Sequence, residues 1–272
     1  MSLSNLITIL SVNYNSTSLT KRMIDSIRKY YKDIQILIVD GSDKPLYQKE
    51  INDCCQEYEN ITLHTLGYNI HHGPGMHYGL THITTPYVLI IDADAYITKN
   101  GVLELLLEHI TSDLLFIGCS MKVNKSGKNT PNGFDYIHPS FMFVNRSLYF
   151  SLIDNHVIRP FIKHGAPCIT TMYDISVLEN GNKLILDLNE PLKDYFIHDW
   201  NGVVKISGGY HLSKQHYRPS DEITVCIGEN YIDDQKKHDD EIKLDEKNKE
   251  LLLKKKSKKN KLTQKEQIKL NR

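Results

Sequence analysis

Apolar and polar positions fall in alternating blocks along the first hundred residues. Leu6 to Val12 is a short, mostly apolar and β-branched run, the composition of a strand buried on both faces. It stops at Asn13-Tyr14-Asn15-Ser16. Leu19, Met23 and Ile27 then recur every fourth residue, a helical stripe that Ser16, Thr17 or Ser18 can cap. Ile34 to Val39 predicts a second buried strand, ending in Asp40-Gly41-Ser42-Asp43; Leu46 to Tyr58 predicts a helix and Ile61 to Leu66 a third strand. A loop rich in Gly and His, Gly67 to Gly79, leads into a short helix that Thr84-Thr85-Pro86 ends. Val88 to Ile91 is a fourth strand, and it delivers Asp92 and Asp94. Further on, Leu114 to Cys119 reads as a strand and Ser126 to Gly133 as a polar loop or hairpin turn. Strand and helix signals that alternate in this way predict an α/β fold: a mostly parallel sheet with helices on both faces.

In such sheets ligands sit outside the carboxyl ends of the strands. The polar clusters at Asn13, Asp40 and Asp92 fall at three such ends, with a Gly-rich loop beside them. Alternation along a strand would point Asp92 and Asp94 to one side, where two carboxylates repel unless a positive charge lies between them. A divalent cation fills that place, and oxygen ligands suit magnesium or manganese. A pair of solvated acids opening a turn is the competing reading. The histidines His71, His72, His77 and His82 lack the spacing that puts two imidazoles on one helix face, and no cysteine lies near them, which disfavours zinc.

Composition narrows the function classes. The 272 residues suffice for one sizeable α/β domain or two small ones. Lys and Arg together number 33, as do Asp and Glu, so no global basic excess points to nucleic acid. The balance hides an asymmetry: residues 231–272 lose the apolar pattern except at Leu251-Leu-Leu253, and read as a charged, Lys-rich tail, disordered or helical. Its Lys-Lys-Lys-Ser-Lys-Lys run could make a peripheral contact with an anionic membrane. Five cysteines, Cys54, Cys55, Cys119, Cys168 and Cys226, form no C-x-x-C pair and are odd in number, which suits reduced, buried thiols. No basic n-region or cleavage site opens the chain, and no apolar run reaches the length of a bilayer span. The expectation is a cytoplasmic protein.

The series V-N-Y-N-S after the first strand, V-D-G-S-D after the second, the loop Gly73-Pro-Gly75-Met-His-Tyr-Gly79, and I-D-A-D resembles the nucleotide-binding half of the family 2 glycosyltransferases, which have the GT-A (Rossmann-like) fold. The resemblance covers about Leu6 to Asn100 and weakens downstream. It implies a GT-A domain over 1–230, with a nucleotide-sugar half to about 120 and an acceptor half from about 121, in which His138 to Arg146 resembles the family's strand before an R-x-x-x-F-type helix, with Phe141 and Phe143 in the core. It also implies contacts to the base and ribose from Val12, Asn13, Tyr14, Asp40 and Ser42, and to the donor from Gly73, Gly75 and His77. Asp94 would be the direct metal ligand, with Asp92 on ribose or a metal-bound water. His198, in Tyr195-Phe-Ile-His-Asp-Trp-Asn-Gly202, would complete the metal or diphosphate site. Family members carry an acidic pair whose second member is the general base; here Tyr173-Asp174 stands in its place, with the first acid missing and the following glycine closer. Asp174 is the expected base and Asp154 the weaker alternative. Trp200 would stack on a sugar or pack in the core, and His211 is a poorer alternative to His198.

The activity so implied is a metal-dependent (Mn2+ or Mg2+) transfer from a nucleotide-sugar, by default a UDP-sugar, to a hydroxyl of a glycan or protein, with inversion. Two other readings stay open. A sugar-phosphate nucleotidyltransferase would want a basic Gly-rich loop directly after the first strand. A non-catalytic nucleotide-sugar-binding protein would fit the weak acceptor half.

Overall fold

The computed structural model describes residues 2–161 and 166–199, together with 237, 239–244, 246–248, 250, 251 and 254. By contacts the chain divides into Met1–Tyr231 and Ile232–Arg272.

The first unit runs α1 (Leu3–Leu6), β1 (Ile7–Asn13), α2 (Thr17–Arg28), β2 (Gln35–Asp40), α3 (Pro45–Gln56), β3 (Ile61–Thr65), α4 (His72–His82), β4 (Tyr87–Ile91), β5 (Ala95–Ile97) and α5 (Val102–His109). It continues through β6 (Phe116–Val123), β7 (Phe134–Asn145), α6 (Arg146–Asp154), α7 (Ile169–Val177), β8 (Ile185–Asp187), α8 (Asn189–Leu192) and β9 (Phe196–His198). The main sheet has the order β3-β2-β1-β4-β7-β6-β8, and β5 pairs with β9 in a separate ribbon. Strands β3, β2, β1 and β4 are mutually parallel, β7 is antiparallel to both β4 and β6, and β8 is parallel to β6.

Both faces of the sheet are covered, which is why the strands read as apolar runs. In β1, β2 and β4 the residues Leu10, Leu37, Val39, Val88 and Ile90 join one core layer. Their neighbours Ile7, Ile9, Ile36, Ile38, Leu89 and Ile91 join the other. Each aliphatic side chain fully buried in these layers contributes roughly 1.5–3 kcal/mol. Phe141 and Phe143 lie in the core as expected.

The Gly-rich segment corrects the sequence reading. Helix α4 begins at His72, five residues after Gly67, so most of the expected loop is helical. Pro74 falls in the first turn, where a missing N–H costs nothing. Glycine at 79 is required by packing: a Cβ there would lie 2.3 Å from Leu10 Cδ1. A Cβ at Gly75 would lie 2.9 Å from a methyl of Val12. These two glycines let α4 lie close on β1.

In the second unit, the described residues are helical, with Lys243 and Asp240 3.5 Å apart and Lys254 and Glu250 2.6 Å apart. Leu244 and Leu251 there are exposed. Trp200, His211, Cys226 and all but one residue of the Lys-rich run lie outside the described residues. No described helix is long and apolar enough to cross a membrane. The four described cysteines are free thiols, three of them buried.

Candidate active site

From β1 the chain winds one way to β2 and β3, then returns to place β4 on the other side of β1. In open α/β sheets ligands bind outside the carboxyl ends of the strands at the point where the order reverses. Asn13 ends β1, Asp40 ends β2, and Asp92 follows β4 directly.

Asn13 and Asp40 are the centre of one network. Asn13 Nδ2 donates to Asp40 Oδ1 (2.8 Å), which also accepts from the Ser42 hydroxyl (2.6 Å) and the Ser42 N–H (3.1 Å). Asn13 Oδ1 accepts from Ser16 (2.9 Å) and Thr20 (2.8 Å). Ser16 therefore starts α2 through its carbonyl, which accepts from Leu19 and Thr20 N–H, while its hydroxyl holds Asn13. Tyr14 OH donates to Asp43 Oδ2 (3.2 Å), and burial together with Asp43 pushes its phenol up to about 12. Asp40 is fully buried, and burial raises its carboxyl pKa against the three hydrogen bonds on Oδ1. Asp40 Oδ2 is buried with no hydrogen-bond partner among the described residues. Leaving a buried carboxylate oxygen unsatisfied costs about 1–3 kcal/mol or more, and marks a place for a donor from outside the protein.

The second constellation forms by a turn rather than by strand alternation. Strand β4 ends at Ile91; Asp92 N–H donates to Ser140 O (3.1 Å) and Ala95 N–H to Asp92 O (3.0 Å). The turn brings both carboxylates to His198, whose Nε2 lies 3.2 Å from Asp94 Oδ1 and 3.5 Å from Asp92 Oδ2. His198 arrives on β9, with Ala95 opposite it in the ribbon. Asp199 N–H donates to Asp94 O (2.9 Å), and the Asp199 carboxylate pairs with Arg22 (2.7 Å), whose guanidinium stacks 4.4 Å over Tyr96.

Two further histidines complete the surroundings, and neither was expected at the site. His72 Nε2 lies 3.0 Å from Asp92 Oδ1. The His138 ring centroid lies 5.5 Å from that of His198, and its Nδ1 accepts from Ser140 N–H (3.1 Å). The signal for His138 was register: β7 runs back along β4, so Ser140 falls opposite Asp92 and His138 follows on the same side. Burial pushes Asp92 up, but His72 foremost, with His138 and His198, outweighs it and holds the carboxyl at about 2. Burial pulls His72 and His198 down, and the two carboxylates more than reverse this, so both imidazoles titrate above their ordinary range. His138 is lowered to about 4, chiefly by burial.

The trio suits a cation. One ligand atom from each of Asp92, Asp94 and His198 lies within 4.8 Å of the others. Adjacent ligands of an octahedral ion with bonds of about 2.0–2.2 Å stand about 3 Å apart, near the spacing of His198 from Asp94. Asp92 Oδ1 is buried and faces His72 Nε2 at 3.0 Å, which leaves Oδ2 on the side of His198. Carboxylate oxygens with an imidazole suit manganese as well as magnesium.

Other expected residues lie elsewhere. His77 is buried, its Nδ1 2.9 Å from Tyr149 OH and its ring against Phe150. Within this segment it is His72, rather than His77, that reaches the acids. Val12 packs under Gly75. Asp174 lies inside α7, where Arg159 Nη2 (2.8 Å), Arg159 Nε (3.0 Å) and the Arg159 N–H (2.7 Å) all donate to its carboxylate. Asp154 ends α6.

A mostly parallel sheet with acids at its switch point is the GT-A architecture of nucleotide-sugar-dependent transferases. Residues 8–178 match the family model described as Glycosyl transferase family 2, and the chain belongs to that family. Over 121 residues it is 31% identical to Beta-1,4 N-acetylgalactosaminyltransferase 2 of Mus musculus; that stretch is 44% of this chain and 22% of the mouse protein. The chain thus matches only a minor part of that relative's length. Among solved structures it is similar to mannosyltransferase PcManGT from Pyrobaculum calidifontis, in complex with GDP-Man and Mn2+. That match has a TM-score of 0.51 at 16% identity and covers 68% of this chain and 55% of the other, a likeness of fold.

Proposed function

We propose that this chain transfers a sugar from a uridine diphosphate sugar to an acceptor hydroxyl, with a divalent cation held by Asp92, Asp94 and His198. The observation that carries the reading is the convergence of those three side chains at the switch point, on the same edge of the sheet as Asp40, in a family 2 chain. When bound, the cation would act as a Lewis acid toward the diphosphate leaving group. Asp40 Oδ2 offers one buried acceptor, which suits the single N3–H that uracil presents between its two carbonyls. Tyr14 lies beside this network and would cover the base, and Asn13 and Ser42 fix the Asp40 rotamer.

The acceptor hydroxyl needs a base, and direct displacement with one base inverts the anomeric carbon. Asp174 is the proposed base. Its two oxygens are engaged by Arg159, so it takes a proton only when the acceptor opens that pair. The same engagement favours a second reading, a protein that binds the nucleotide-sugar without turnover.

Calorimetry with UDP, GDP and ADP, with and without Mn2+, tests the proposal on wild type and Asp94→Ala. Tight UDP binding that needs both Mn2+ and Asp94 is the expected result; preference for GDP reassigns the base pocket, and no binding to any diphosphate overturns the reading. Release of UDP from a UDP-sugar, to acceptor or water, separates enzyme from binder.

A further inference from the structure

We infer that His72 is a positioning residue of the cation site, holding Asp92 so that its other oxygen faces the ion; this rests on the cation reading above. The two oxygens of Asp92 are divided between two imidazoles: Oδ1 stands 3.0 Å from His72 Nε2, and Oδ2 stands 3.5 Å from His198 Nε2. His72 falls outside the group whose ligand atoms all lie within 4.8 Å of one another. It therefore touches Asp92 without sharing the compact set of ligand atoms.

The placement of His72 is built by the fold. Val88 and Ile90 point to the layer that α4 covers with Met76, Tyr78 and Leu80. Helix α4 lies close on that layer because residues 75 and 79 carry no Cβ. His72 is its first residue, so the start of the helix arrives at the carboxyl end of β4. The preceding residue is held in an unusual conformation: His71 has φ 67° and ψ 160°, a region that side chains other than glycine rarely adopt. Asn69 Oδ1 accepts from the His71 N–H (2.9 Å), and His71 O accepts from the Gly75 N–H (3.0 Å). A backbone kept strained one residue before a side chain that grips a buried acid fixes where that side chain stands. His72 itself is about one-third exposed, with 29% of its side chain open, so it does not fill the core.

Partners that orient a metal ligand from outside the coordination sphere change metal affinity about 10–100-fold when removed. The test is Mn2+ titration followed by electron paramagnetic resonance, with and without UDP, on wild type, His72→Ala, His72→Gln and Asp94→Ala. His72→Ala is expected to bind Mn2+ about 10–100-fold more weakly while it still unfolds in one cooperative thermal transition. His72→Gln, whose amide can still donate to Asp92, is expected to recover most of that loss and carries the test if the alanine variant fails to fold. Pulsed measurements should show the same 14N coupling to bound Mn2+, from His198, in wild type and His72→Ala.

Wild-type affinity in His72→Ala, with Asp94→Ala weakened, overturns the inference and leaves the cation site standing. Glutamine no better than alanine overturns it as well. A 14N coupling lost in His72→Ala makes His72 a ligand and ends the positioning role. If Asp94→Ala binds Mn2+ like wild type, the cation reading itself fails.

Discussion

The acids at the switch point and the acid on α7 are treated in opposite ways by the fold. Asp40 Oδ2 is buried with no hydrogen bond among the described residues, and Asp92 faces the imidazoles of His72 (3.0 Å) and His198 (3.5 Å), groups that a proton or a cation can engage. Asp174 has both oxygens engaged by one guanidinium and a backbone N–H, with only 15% of its side chain exposed. An unsatisfied buried carboxylate costs stability and can be offset by a ligand; a saturated one stabilises the chain that holds it. The first arrangement marks a binding site. The second marks a structural joint, between the segment before α7 and α7 itself, which an acceptor must open before Asp174 can act as a base.

Substitutions should therefore affect binding on one side and stability on the other. The largest effect expected is from Asp94→Ala: Mn2+ affinity falls by more than about 100-fold, beyond the loss for an outer partner, while the metal-free thermal midpoint holds or rises at a pH where His198 is neutral, because a repulsive charge is gone and no ion pair is lost. A large drop in that midpoint would break the contrast. Asp174→Asn should do the reverse, costing about 2 kcal/mol in chemical denaturation, below the roughly 3–5 kcal/mol of a fully buried pair, with UDP and Mn2+ binding intact. Transfer activity surviving in Asp174→Asn would remove it as the base.

Gly79→Ala tests whether α4 is seated by its glycines. Its Cβ would meet Leu10 at 2.3 Å, and overpacking of this kind costs about 1–3 kcal/mol. Asp40→Asn should weaken UDP about 10-fold, roughly 1.4 kcal/mol, because the amide keeps Oδ1-type acceptance inward and turns an N–H toward the uracil N3–H; Mn2+ binding alone should not change. The smallest effects are in pH. Asp92, held at about 2 against an ordinary 3.8, contributes stability that is present above that ordinary value and lost as pH falls through about 2. Acid titration of Asp92→Asn should lack this limb. His198, raised above its ordinary 6.5, stabilises the metal-free protein fully below 6.5 and loses that contribution as pH rises through its folded value. Mn2+ competes with that proton, so its affinity should climb over the same range, and a flat profile from about pH 6 to 8 would exclude His198 as a ligand.

The strands that carry Asn13, Asp40 and Asp92, and the helices between them, could be read from the sequence because burial on both faces writes itself as contiguous apolar runs. The Asp92–Asp94 spacing and the aromatic positions Phe141 and Phe143 were equally plain. Periodicity was silent on α4, since glycines that admit a close neighbour look the same as glycines that free a loop; the difference is Leu10 and Val12, which lie more than sixty residues earlier in the chain. His138 could not be placed at the acids without knowing that β7 runs antiparallel beside β4. The same limit applied to Asp174, whose partner Arg159 fifteen residues away carries no local signature. Local order and the identity of the ligand-bearing strands follow from short-range pattern, because hydrophobic burial repeats with the period of the backbone. Which imidazole meets which carboxylate, and which carboxylate is left unsatisfied, is decided by contacts between distant segments, and only the packed sheet brings those together.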